Sequence, residues 1–110
     1  MKVTRFDSAA WAFSPEKMKK VGLFETARFF LDLYCLEPGQ SQKPHAHDGC
    51  DKVYLVTQGR ARVRVGDEER TLGAGEAVMA ASGEIHGLTN DSNERAVVLT
   101  LMAPPPAKSA

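Results

Sequence analysis

Apolar and polar residues alternate along most of this chain, and short turn sequences interrupt the alternation. Side chains on a strand point alternately to its two faces, so a period of two predicts strands with one buried face. The clearest turn is Gly66-Asp67, a two-residue hairpin signal between two such segments. The predicted strands are 27–36, 52–58, 61–65, 68–72, 77–80, 88–90 and 96–102. Both faces of 27–36 are largely apolar, so this strand is expected to be covered on both sides.

The two ends of the chain depart from this pattern. Residues 1–26 predict an arm that covers the folded domain, with a short strand at Trp11 and Phe13. The lysine cluster after residue 16 and Gly22 favour a turn or a brief helical segment there. Residues 103–110 contain three consecutive prolines, which lack the N–H that a strand ladder needs, and predict an extended tail. The predicted division is thus an arm at 1–26, one domain at 27–102 and a tail at 103–110.

Short strands joined by regular turns predict an all-β fold, an antiparallel barrel of the jelly-roll type. A chain of 110 residues suits one domain with a single core. The 14 basic and 14 acidic residues balance, so no nucleic-acid partner is expected. No apolar run approaches membrane-spanning length, so no membrane partner is expected and the predicted location is cytoplasmic. Cys35 and Cys50 form no disulfide framework and are expected as reduced thiols.

The chain contains three histidines, and they fall in two patterned stretches. His45 and His47 are one residue apart, which on a strand places both imidazoles on the same face. His86 follows a turn at Ser82-Gly83-Glu84 that would return it toward the same end of the barrel. Neutral imidazoles are common ligands of divalent metals. His45, His47 and His86 are therefore the candidate metal ligands, with open positions for water or substrate.

These two stretches resemble the paired motifs of the cupin family. The first has Lys52 where the family has a glutamate, and the second has Ala81 where the family has a proline. The motifs together span about half of the chain and are specific for the fold, but one fold hosts many unrelated functions. The positions that match at the family's spacing are Gly39, His45, His47, Gly59, Gly75, Gly83, His86 and Asn90.

The resemblance implies an antiparallel double-stranded β-helix, the cupin barrel, over residues 27–102. It also implies that the three histidines are three of the family's four usual ligands. The glutamate is missing, so the ion is expected to bind more weakly and to be one that prefers nitrogen, such as zinc, nickel, copper or iron. Manganese is the remaining candidate ion. Asp51 would reach the site only through a local bulge. The alternative is a degenerate site whose histidines only form hydrogen bonds.

Lys52 itself has two interpretations. It either points into the pocket, where it pairs with Asp51 or Asp48 or attracts the carboxylate of an anionic substrate, or extends to solvent from the strand end, which is the commoner behaviour of lysine. Tyr54 shares its parity and is expected to pack in the core. Cys50 lies close to His47 in sequence, but no third group is identifiable that would orient a Cys–His nucleophile.

Two classes of function remain open at this stage. One is a metal-dependent enzyme, an oxygenase or isomerase that acts on a small polar molecule, with catalytic residues not identified. The other is a non-catalytic barrel that binds or senses a small molecule. A homodimer is expected in either case, because the outer apolar face of 27–36 needs a cover, with Trp11 and Phe13 as candidate interface residues.

Overall fold

The computed structural model describes residues 1–106, which form nine strands after a short 3-10 helix at Ser8–Ala10. Six glycines of the described residues have φ in the left-handed region, and two of them, Gly66 and Gly83, lie in the turns that the sequence predicted at Gly66-Asp67 and Ser82-Gly83-Glu84. The strands are β1 (Lys19–Glu25), β2 (Phe30–Leu36), β3 (Ser41–His45), β4 (Asp51–Gln58), β5 (Arg60–Val65), β6 (Glu68–Gly73), β7 (Ala77–Ala80), β8 (His86–Thr89) and β9 (Ala96–Ala103).

The strands form two antiparallel sheets. The five-stranded sheet has the order β1-β2-β9-β4-β7, and the four-stranded sheet has the order β3-β8-β5-β6. Sequence neighbours such as β3 and β4 lie in different sheets, which is how a chain winds a jelly-roll barrel rather than a meander. The predicted all-β antiparallel fold is confirmed.

The main core lies between the sheets and follows the alternation in the sequence. In β5, for example, Ala61 and Val63 are buried while Arg60 and Arg62 are exposed. Each apolar side chain of this size contributes about 1.5–3 kcal/mol when fully buried, so the core supplies most of the driving force for folding. Its buried members are Tyr34, Leu36, Tyr54, Val56, Ala61, Val63, Leu72, Leu88, Ala96 and Val98.

A second apolar cluster covers the outer face of the five-stranded sheet. Leu33 and Cys35 of β2 and Val97 of β9 are fully buried there, under Trp11 and Phe13 from the amino-terminal arm. The expectation that β2 is covered on both sides is confirmed, and so is the expectation that Cys35 is a small buried apolar residue. Trp11 and Phe13 pack on the sheet of their own chain.

The strand of the amino-terminal arm was placed wrongly by the sequence. No strand forms at Trp11 and Phe13; instead β1 occupies the lysine-rich segment that predicted a turn. Edge strands often carry lysine, because a charged side chain keeps other chains from pairing with the open edge. Gly22 is accommodated at a register irregularity between β1 and β2.

The carboxyl end of the barrel also differs slightly from the prediction. β9 runs to Ala103, the first residue assigned to the tail, and the three prolines follow it. Residues 107–110 of the predicted tail lie outside the described residues. Within residues 1–106, no helix has the length and apolar character needed to span a bilayer.

Gly59 and Asn90 stabilise the end of the barrel away from the histidines. Gly59 has φ of 73°, and a Cβ there would lie 2.3 Å from the carbonyl oxygen of Arg95. Asn90 is fully buried and its Nδ2 donates to the carbonyls of Leu36 and Glu94, at 3.1 and 2.7 Å. These motif residues therefore have structural roles.

Candidate metal centre

The three histidines converge at one end of the barrel. His45 ends β3 and His86 begins β8, and the two are paired across the strands. His47 follows in the loop, so the prediction that one strand carries both His45 and His47 is wrong. The Gly83 N–H donates to the His47 carbonyl at 3.1 Å, which draws this segment out of the ladder. The candidate ligand atoms of the three imidazoles nevertheless all lie within 4.8 Å of one another.

Backbone carbonyls set the orientation of two of the rings. Nδ1 of His45 lies 2.8 Å from the Lys43 carbonyl oxygen, and Nδ1 of His86 lies 3.0 Å from the Glu84 carbonyl oxygen. A carbonyl oxygen only accepts, so Nδ1 carries the proton in both rings and Nε2 keeps its lone pair. This is the arrangement by which proteins orient histidine ligands toward a metal.

The Nε2 of His86 is the most informative atom of the cluster. His86 is 2% exposed, and its Nε2 has no hydrogen-bond partner among residues 1–106. A buried polar atom without a partner is rare, because burial removes its bond to water without replacement. A metal ion held by the three imidazoles would satisfy it, so the residues present fit such an ion.

Burial favours the neutral form of His86 and His45. It lowers the pKa of His86 to about 4, with the positive charge of Lys52 acting in the same direction. Burial also lowers the pKa of His45, and Lys52 again contributes. At neutral pH both rings are therefore in the form that binds metal.

Asp51 does not complete the ligand set. Its exposed carboxylate accepts a hydrogen bond from the Ser82 N–H at 3.0 Å, on the side of the strand opposite to Lys52. Ser82 in turn accepts from the Gly49 N–H at 2.6 Å. Asp51 thus helps to join the two loops that carry His47 and precede His86.

Lys52 points into the barrel, so the expectation that it extends to solvent is wrong. It is 2% exposed, and its Nζ donates to Oε1 of Gln42 at 3.3 Å. Nζ also lies 5.6 Å and 5.2 Å from the ring centroids of Tyr34 and Tyr54, which is within cation–π range. The aromatic faces and the amide replace part of the water that the ammonium loses. Burial lowers its pKa to about 8.

Gln42 connects Lys52 to both tyrosines. Its Oε1 also accepts from the Tyr54 hydroxyl at 2.6 Å, and its Nε2 donates to the Tyr34 hydroxyl at 3.5 Å. Sequence reasoning missed Gln42, because strict alternation places it on the face opposite to His45. A register irregularity between these two residues turns both toward the interior. Tyr54 is fully buried, as predicted.

Cys50 and the surface cavities add no second centre to this one. The Cys50 thiol is buried and lies 3.8 Å from the Asp48 carbonyl oxygen, an arrangement that does not orient a nucleophile. A surface cavity of about 540 Å³ runs along β1 and is lined by Lys20 and Asp32 but by none of the histidines. The candidate chemistry is therefore concentrated at the imidazole cluster and its lysine.

The fold agrees with comparisons with known proteins. Residues 32–102 match the model of the cupin domain. The structure superposes with a TM-score of 0.90 on the protein TT1209 of Thermus thermophilus, at 43% identity, covering 94% of this chain and 98% of that one. A structure from Klebsiella pneumoniae, described as having a double-stranded β-helix domain, gives a TM-score of 0.82 at 23% identity, covering 97% and 100% of the two chains.

One curated relative has a named activity. It is β-D-galactosidase Rv1717 of Mycobacterium tuberculosis, 33% identical over 77% of this chain and 72% of that protein. The domain match covers more than half of the chain and includes all three histidines. The sheet order, the convergent histidines and this match lead to one conclusion: the chain belongs to the cupin family.

Proposed function

We propose that this cupin holds a divalent metal ion on His45, His47 and His86 and uses it to act on a small polar molecule. The observation that carries the proposal is the buried Nε2 of His86, which has a lone pair, no hydrogen-bond partner within residues 1–106 and two further imidazoles nearby. Three protein ligands leave coordination positions open, as catalytic metal sites do. An ion at such a position supplies Lewis acidity to a bound oxygen.

The chain's own residues set the properties of this site. The two Nδ1–H bonds to carbonyls fix the directions of the His45 and His86 rings. Because all three ligands are nitrogens, we expect zinc, nickel, copper or iron to bind better than magnesium or calcium. The reaction class we propose is oxygenation or isomerisation. The named relative, a β-D-galactosidase, supports a polar substrate.

Calorimetric titration of the chelator-treated protein with zinc tests the metal site. We expect one ion per chain in the wild type and loss of binding in His86→Ala, because that change removes the most buried ligand. Cys50→Ser is the matched control, since Cys50 is a thiol three residues after His47 that is outside the proposed ligand set. Retained stoichiometric binding in His86→Ala, or no binding in a folded wild type, contradicts the proposal.

A non-catalytic binding barrel is the second candidate function. The observation that favours it is Lys52, a buried cation at the position where the family has an acidic ligand. A cation near the ion weakens metal binding, so a protein that has kept the pocket for small-molecule binding alone could retain the lysine. Elemental analysis of protein purified without added metal separates the two: a stoichiometric metal content supports the enzyme, and its absence supports the binding barrel.

We also propose that two copies associate through the outer face of the five-stranded sheet. Leu31, Leu101, Val53 and Met79 are neighbours across four strands there, and Met79 is 60% exposed. Such an apolar row is suited to an isologous dimer. Sedimentation at micromolar concentration should give a dimer that Met79→Glu weakens, and a wild-type monomer would contradict this.

We further propose a cytoplasmic location, which the two free thiols support and cell fractionation tests.

A further inference from the structure

Lys52 is a buried cation that lacks an acidic partner. Among residues 1–106 no carboxylate oxygen lies within 4.0 Å of its Nζ, since the ion pairs found there involve only arginines. Buried charges in proteins are normally paired. Asp32 is the acid whose charge acts on Lys52, but Asp32 is shared with Lys20 and lies beyond contact distance. The ammonium therefore has capacity to bind an anion.

The donors of Lys52 match a carboxylate. An ammonium has three N–H donors, and Gln42 accepts one of them. Tyr34 and Tyr54 present ring faces rather than oxygen acceptors to the charge, so within residues 1–106 Gln42 is the one oxygen acceptor of Nζ and its other donors are available to a ligand. A carboxylate supplies two oxygens and one negative charge. A phosphate group would call for more donors than this single lysine offers.

The position of Lys52 relates it to the imidazole cluster. The centroid of the Tyr54 ring lies 5.2 Å from Nζ and 6.2 Å from the centroid of the His86 ring, so Tyr54 is a neighbour of both Lys52 and His86. Lys52 projects from one sheet, while His45 and His86 project from the other. The charge of Lys52 also lowers the pKa of both imidazoles, which is consistent with this proximity.

We propose that the ligand of this barrel is a small carboxylate, which the Lys52 ammonium binds while the rest of the molecule extends toward His45, His47 and His86. The contact with the histidines rests on the proposed function, but the contact with Lys52 does not. In this arrangement the ligand brings the negative charge that a glutamate at position 52 would have supplied. The protein then discriminates between a carboxylic acid and its neutral amide.

The experiment is an NMR titration of the chelator-treated protein with glycolate and with glycolamide, a matched pair that differs in charge. We expect the wild type to prefer glycolate by about tenfold or more, the value of one charge-assisted hydrogen bond. Lys52→Met, of similar length and without charge, should lose the preference. Lys20→Met is the matched control, because Lys20 also lies against the Tyr34 ring, at 5.3 Å, but is exposed.

The outcomes separate this inference from the proposed metal site. A carboxylate preference that Lys52→Met abolishes supports the inference, even if the wild type binds no zinc. An equal preference in wild type and Lys52→Met, or no glycolate binding by the wild type, overturns it, even if zinc binds tightly. Lys52→Gln, which keeps a polar side chain, replaces Lys52→Met if circular dichroism shows that the latter does not fold.

Discussion

Replacing Lys52 with glutamate should convert a three-histidine site into a four-ligand site. The side chain at this position faces the interior, on the sheet opposite to His45 and His86. At pH 7 the lysine is mostly protonated, because its pKa is lowered only to about 8. Lys52→Glu therefore removes one positive charge and adds one negative charge beside the metal position.

Tyr54, the common neighbour of Lys52 and His86, sets an upper limit on their separation. Nζ lies 5.2 Å from the Tyr54 ring centroid and the His86 ring centroid lies 6.2 Å from it, so Nζ and the His86 ring are no farther apart than the sum of these two distances. At a separation of about 8 Å and an effective dielectric constant of about 20, two unit charges interact by about 2 kcal/mol. A two-unit change beside a divalent ion multiplies this by about four before screening.

Water reduces that figure, because His45 and His47 are only partly buried. Burying the new carboxylate in the absence of metal reduces it further. We therefore expect zinc to bind about 2–4 kcal/mol more tightly, which is roughly thirty-fold to a thousand-fold in affinity. Lys52→Met should fall between wild type and Lys52→Glu, since it removes the repulsion without adding a ligand.

Calorimetric zinc titration of the variants is the assay. Lys20→Glu is the matched control: it makes the same charge change on the exposed lysine that contacts Tyr34, so solvent should screen most of its effect. Adding His86→Ala to Lys52→Glu should abolish the gain. Equal zinc affinity in wild type and folded Lys52→Glu would refute the reasoning, because it would mean that the side chain at position 52 neither binds the ion nor affects it electrostatically.

Three further predictions concern stability and the geometry of the site. As the pH rises from 8 to 9.5, the free energy of unfolding of the metal-free wild type should increase by about 1–2 kcal/mol relative to that of Lys52→Met, measured by urea unfolding. The reason is that the unfolded chain keeps the lysine proton up to a pKa of about 10.5 and so binds more protons than the native state, and a difference that does not change with pH would contradict the lowered pKa. Gly59→Ala should destabilise by more than about 3 kcal/mol through its clash with the Arg95 carbonyl, whereas Gly75→Ala, also at positive φ but with open space around it, should cost about 1 kcal/mol; similar thermal shifts in both would exclude the clash. Gly87→Ala, whose Cβ would lie 2.9 Å from a β3 carbonyl oxygen, should displace that strand and weaken zinc binding at least tenfold, and unchanged calorimetric affinity would show that the strand spacing is not critical.

The sequence predicted the barrel well because one physical rule governs most of it. Alternation alone placed Ala61 and Val63 inside and Arg62 outside, and two short motifs brought His45 and His86 together. The rule failed where a side chain did not behave as its type usually does. Lys52 has the parity of an interior residue, but the general behaviour of lysine argued for solvent. Only the structure reveals the amide and two rings that accommodate it.

Other parts of the site depended on features that a period of two does not contain. Gln42 reaches the interior through a register irregularity, which leaves no mark in the pattern of apolar residues. β1 was missed because an edge strand needs only one covered face and tolerates lysines on the other. Neither deciding contact is visible in the pattern of a single strand: Gln42 and Tyr54 lie on strands of different sheets, and β1 pairs with β2 across a short hairpin turn.

The three histidines lie on backbone segments that are held with unequal strength, and this has a kinetic consequence. His86 is on β8, which is hydrogen-bonded on both sides, whereas His45 ends the edge strand β3 and His47 lies in the loop beyond it. If the site holds an ion as proposed, His45 and His47 would be its accessible ligands and His86 its most enclosed one. Loading and release would then depend on opening of the β3 edge and its loop, a local motion far smaller than unfolding of the barrel. Such a site would exchange its ion with the surroundings while the rest of the fold stays intact.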